Sequence, residues 1–118
     1  MRFAVVLSVM LAMGQPSAPG LIAEGERLAR SNLRLEAIVK FSAALEAARS
    51  AGDRKSEALA LTRLGQNHLQ LDNFAVGLRS IEQSLPVWQA LGDRFQHALA
   101  LHNFAAALWS LGDSQAAL

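Results

Sequence analysis

The chain of 118 residues has no cysteine and no tyrosine, only three prolines, and five phenylalanines and two tryptophans as its aromatic residues. Without cysteine there are no disulfides, thiolate metal sites or cysteine nucleophiles, a composition compatible with an oxidising compartment. Neither sign of charge dominates, with 11 basic against 10 acidic residues and a formal net charge of +1. No basic cluster and no acidic tail occurs, which weighs against nucleic acid and anionic membrane surfaces as partners. Residues that favour strands are scarce: Val, Ile and Thr total 10, whereas Ala (22) and Leu (20) fill 42 positions. Both biases specify an all-α chain.

Catalytic patterns are missing as well. There is no Gly-rich phosphate loop, no Gly-x-Ser-x-Gly elbow and no His-Glu-x-x-His. His97 and His102 are separated by about 140° around a helix and do not converge on one metal ion. His68 sits on an apolar stripe and reads as a half-buried side chain filling an aromatic slot. The chain reads as non-catalytic, with no metal and no cofactor.

What the chain does have is an internal copy. Residues 52–61 read Gly-Asp-Arg-Lys-Ser-Glu-Ala-Leu-Ala-Leu, and residues 92–101 read Gly-Asp-Arg-Phe-Gln-His-Ala-Leu-Ala-Leu, an offset of 40. The same offset relates Phe41 to Ile81, Leu45 to Leu85, Leu64 to Phe104 and Leu71 to Leu111. These positions are apolar, as a repeated core requires, and a period of this size is the mark of stacked supersecondary units. Within each unit the spacing is helical: Leu61, Leu64, His68 and Leu71 form one stripe, and Phe74, Leu78, Ile81, Leu85 and Trp88 another.

Turn chemistry places the ends. Gly52 and Gly92 can close a helix in the left-handed conformation, and Asp53 and Asp93 can cap the next one. Asp93 with Gln96 has the spacing of a capping box, and Asp72-Asn73 and Gly112-Asp113 mark the other junctions. These signals predict helices over 20–31, 34–50, 54–71, 74–91 and 94–111, a sixth starting at Ser114, and a local bend at Pro86.

Leu64-Gly65, His68, Leu71, Asp72-Asn73-Phe74, Gly77, Ile81 and Ser84 resemble the tetratricopeptide repeat, and Phe104-Ala105, Leu108, Leu111, Gly112-Asp113 and Ala117 fill the same slots one period later. Gly25, Leu28, Ala37, Phe41 and Ala44 do so in the first unit, although Glu24 stands where an apolar residue is expected. The resemblance implies antiparallel helix-turn-helix repeats stacked as a short right-handed α-solenoid, about two and a half repeats over 21–50, 54–91 and an incomplete 94–118. The segment Leu85-Pro-Val-Trp-Gln-Ala-Leu-Gly-Asp-Arg94 is similar to the junctions of long bacterial arrays, including those preceding caspase-like CHAT protease domains. No segment of the chain resembles such a protease.

In this family the first helix of each pair lines a concave face that binds a protein or peptide. The residues mapping there are Glu26 and Arg30, then Thr62, Gln66, Leu69 and Gln70, then His102, Ala106, Trp109 and Ser110. Trp109, a large apolar side chain off the core stripe, is expected either to anchor a partner or to contact a neighbouring repeat. The basic clamp for acidic C-termini is missing, because its positions hold Ile22, Glu26, Arg63, Leu99 and Asn103. The alternative to a binding module is a spacer or oligomerisation segment of a larger exported signalling or protease protein. An array this short is expected to be incomplete, either continued in a longer chain or completed by self-association through 94–118.

The first residues form a separate unit. Met1-Arg2 supplies a positive start, Phe3 to Met13 an apolar run too short to span a bilayer, and Gln15-Pro16-Ser17-Ala18-Pro19 a polar exit. This pattern predicts a signal peptide over 1–14, with an alternative cut after Ala18, a linker over 15–20, and an exported mature protein that does not insert in the membrane. Mature protein recovered from an extracytoplasmic fraction should begin at Gln15 or Pro19 by N-terminal sequencing. Intact Met1 on cytoplasmic material refutes export.

Overall fold

The structure, a computed structural model, describes residues 16–116, with side chains as far as Asp113. The signal-like segment and the cut after Gly14 lie outside the described residues. Five helices follow one another: α1 (Ala18–Arg30), α2 (Arg34–Ala51), α3 (Arg54–Gln70), α4 (Phe74–Leu91) and α5 (Arg94–Ala116). None of these is long and apolar enough to cross a membrane.

Each helix starts and stops for a local reason. α1 begins earlier than the spacing predicts, and Pro19 and Gly20, expected in a linker, form its first turn. Proline is tolerated there because the first amides of a helix have no acceptor within it. The Ser17 hydroxyl accepts from the Gly20 N–H at 3.2 Å. A cut after Gly14 leaves this cap in place, and a cut after Ala18 removes it.

Gly52 (φ 68°) and Gly92 (φ 71°) both take the left-handed conformation that ends α2 and α4. Asp53 then caps α3, accepting from the Ser56 N–H at 3.1 Å and from its hydroxyl at 2.6 Å. Those two bonds, with Lys55 nearby, hold the Asp53 carboxyl below its usual range against a small opposing effect of burial. Asp93 caps α5 by accepting from the Gln96 N–H at 3.0 Å. The reciprocal half of the expected capping box is not made, because the Asp93 N–H already donates to the Trp88 carbonyl in closing α4.

The turns within pairs use a different device. Asn32 (φ 61°) and Asp72 (φ 60°) carry the left-handed residue, and the next amides, Leu33 and Asn73, donate back to Leu28 and His68. One period later stands Gly112, and here expectation fails: α5 continues through Gly112-Asp113 to Ala116, and no sixth helix starts at Ser114. A turn at Gly112 would forfeit helical hydrogen bonds, and only a helix of several turns packed back on α5 could compensate for them. The described residues beyond it do not provide one.

Helices pair by close approach of small residues. A Cβ on Gly25 would lie 2.6 Å from the Phe41 ring, and one on Gly77 would lie 2.8 Å from the Leu69 side chain and 3.0 Å from the Gly65 carbonyl. A Cβ on Gly65 would meet Ile81 and, at 2.9 Å, the Gly77 carbonyl. Gly77 therefore tightens the α3–α4 crossing. Around these crossings lie two clusters, one on Phe41 with Leu21, Ile22, Ala44 and Leu64, the other on Ile81 and Trp88 with Ala58, Val87 and Ala100. α4 is continuous through Pro86, whose ring lies exposed. Ala105, the periodic counterpart of Gly65, is exposed instead of packed, because no described helix crosses α5 there.

Besides sequential neighbours, α1 touches α3 and α3 touches α5, whereas α2 and α4 do not meet. The first helices of the pairs thus form an inner layer and the second helices splay apart outside it. This is an all-α helical-repeat solenoid, concave on the side of α1, α3 and α5. Replacing Gly65 with Leu should destabilise it by about 1–3 kcal/mol or more, read as a lower urea midpoint, since a backbone carbonyl cannot yield. Unchanged stability would contradict the crossing.

Candidate binding groove

The concave side encloses an open groove of about 730 Å³, within the range of about 300–1,000 Å³ usual for ligand sites. α1 contributes Glu26, Ala29 and Arg30; α3 contributes Arg63, Gln66, Asn67, Leu69 and Gln70; α5 contributes Asn103, Ala106, Ala107 and Ser110. These side chains follow helical spacing on each inner helix, so three parallel strips converge on one surface.

A polar network fixes the middle of the groove. Arg63 Nε donates to Glu26 Oε1 at 3.1 Å, tying α3 to α1, and Arg63 Nη1 donates to Gln66 Oε1 at 3.0 Å. Both charged groups are about one-third exposed, so the pair fixes geometry more than it adds stability. Asn67 is buried: its Oδ1 accepts from Arg34 Nη1 at 3.2 Å and its Nδ2 donates to the Arg63 carbonyl at 2.8 Å. Asn67 is thus spent on the scaffold, and Gln70, Asn103 and Arg30 keep polar groups facing the groove without an internal partner among the described residues. Phe41 and Phe74 add apolar floor from the outer helices.

Seven of the residues expected to face a ligand do line this groove: Glu26, Arg30, Gln66, Leu69, Gln70, Ala106 and Ser110. Three do not. Thr62 is 1% exposed, its Oγ1 accepting from Trp88 Nε1 at 3.0 Å while donating to the Ala58 carbonyl at 2.8 Å. It belongs to the α3–α4 core, where a buried indole N–H requires an acceptor. His102 and Trp109 are exposed but lie on the strip of α5 turned away from the groove. Leu69, one period before Trp109, packs on Gly77 of the following helix; α5 has no such helix among the described residues.

Sequence reasoning missed Ala29, Arg34, Phe41, Asn67, Asp72, Phe74 and Ala107 as lining residues, four of them because they lie outside the inner helices. Arg63 and Asn103, two of the positions at which the basic clamp is missing, line the groove as well. His68 is half-buried as expected, its Nδ1 3.3 Å from Asn73 Nδ2 at the turn.

The inner helices of the solenoid thus present an open polar groove with its scaffold bonds satisfied beneath. The tetratricopeptide-repeat family model matches residues 56–118, more than half the chain, and the chain belongs to that family. No curated protein matches it. Repeats of this family form a non-catalytic fold that generally mediates protein–protein interaction.

Thr62→Val should lower stability by about 1–3 kcal/mol through the unsatisfied Trp88 N–H, measured by urea unfolding. Loss no greater than for a surface substitution would show that the Thr62–Trp88 bond is dispensable.

Proposed function

We propose that this protein is a binding module that captures an extended segment of another polypeptide in the groove formed by α1, α3 and α5. The observation carrying this reading is that the groove's internal bonds are complete while its exposed polar groups are not. Gln70 and Asn103 offer amide donors and acceptors suited to a main chain, which every peptide possesses whatever its sequence.

The charge distribution suggests a polarity for the ligand. Arg30 and Arg34 stand at the α1–α2 end with no carboxylate in ion-pair contact among the described residues, whereas Asn103, Ala106 and Ser110 make the α5 end neutral. Of the two acids lining the groove, Glu26 is paired with Arg63, and Asp72 moderates this field. An acidic side chain near α1 and small or apolar residues toward α5 fit that arrangement. The signal-like N-terminal segment supports placing this recognition outside the cytoplasm.

Selection of a random peptide library on the immobilised protein tests the reading. Sequences should be enriched that bind the wild type, lose binding to Ala106→Trp, which blocks the groove at an exposed position, and weaken with Arg30→Glu. Failure to enrich any sequence, or equal binding to the blocked variant, would sink the proposal.

A further inference from the structure

Of the ten exposed large apolar side chains among the described residues, five lie on α5. Phe95 is 74% and Trp109 75% exposed, and Leu101 and Leu108 are also exposed, while Leu99 lies on the groove strip with Asn103 and Ser110. Helical spacing puts Leu101, Leu108 and Trp109 around a strip of Ala98, Ala105 and Gly112. The internal repeat says what such a surface is for. One period earlier, Ala58, Gly65 and Leu69 pack on α4, and Ala58, Leu61 and Gly65 are buried. The face of α5 is therefore built to pack against a helix at close range.

We propose that this helix is α5 of a second copy, packed antiparallel about a two-fold axis near Ala105. Three observations select that occupant. The face is self-complementary under such an axis: Leu101 and Leu108 flank Ala105 by four and three residues, so each Leu101 meets the second copy's Leu108 across paired alanines. The charges of α5 are complementary in the same sense. Its only charged residues are Arg94 in the first turn and Asp113 in the last, each at the unfavourable end of its own helix dipole, and neither is ion-paired among the described residues. An antiparallel copy brings Arg94 to the second copy's C-terminal end and Asp113, with it, to the other's N-terminal end, which relieves both. Finally, head-to-tail stacking is disfavoured, because α1 outside the groove is polar, with Glu24 and Arg27 exposed. The exposed Leu35 and Val39 on α2 lie among the charged Arg34, Glu36 and Lys40.

The dimer leaves the groove strip of Asn103, Ala106 and Ser110 free, so two grooves are held side by side and can engage a bivalent partner.

The absence of native cysteine makes the arrangement directly testable. The purified protein should sediment as a dimer at micromolar concentration. Ala105→Cys should cross-link to its counterpart under mild oxidation, whereas Phe95→Cys, at opposite ends of an antiparallel pair, should not. Leu108→Glu should weaken dimerisation by about thirtyfold or more with helical circular dichroism retained, and Leu35→Glu should leave the dimer intact. A monomer at these concentrations overturns the proposal. So does cross-linking of Phe95→Cys as readily as Ala105→Cys, which would mean parallel packing, or loss of the dimer with Leu35→Glu, which would mean head-to-tail assembly.

Discussion

The rest of the structure depends on the contact between Gly65 and Gly77, where two helices approach until backbone meets backbone. That distance sets the crossing of α3 and α4, and the crossing brings Trp88 over Thr62 and Ile81 against Ala58. The first pair solves the same problem with Gly25 against the flat face of Phe41. Small residues are thus spent at the crossings and large ones in the layers beside them, as interdigitating packing requires. Groove geometry follows from these crossings, since the inner helices can touch only because each pair is thin at that point.

Repetition makes departures from repetition informative. Asn32, Asp72 and Gly112 occupy one periodic position, and the first two turn the chain while the third remains helical. The intrinsic preference is strongest at Gly112, since glycine alone takes the left-handed conformation without steric cost. The turn is absent there because turning is rewarded by packing, and packing is a tertiary quantity. Ala105 and Gly65 form a similar contrast: equivalent small residues, one exposed and the other enclosed between helices.

The groove and the exposed apolar face occupy two sides of α5. Asn103, Ala106 and Ser110 look inward, while Leu101, Ala105 and Leu108 look along the array. Arg63 belongs to both scaffold and groove: it anchors Glu26 of α1 and bonds Gln66, tying the middle of the groove to the packing of α1 on α3.

By itself, the sequence determined the helices, the period of 40, the Gly-Asp junctions and most of the inward strip, because these are encoded locally: in spacing along a helix, in the conformational freedom of Gly52 and Gly92, and in the capping carboxylates of Asp53 and Asp93. It could not determine how a polar side chain was partnered. Thr62 looked like a groove residue until Trp88, 26 positions away, claimed its hydroxyl, and Asn67 was fixed by Arg34 across 33 positions. Nor could spacing tell Leu69, which packs on Gly77, from Trp109, which packs on nothing described. Tertiary structure decided these because burial and hydrogen-bond saturation depend on neighbours distant in the chain, which periodicity identifies as a class of position but not as occupied or empty.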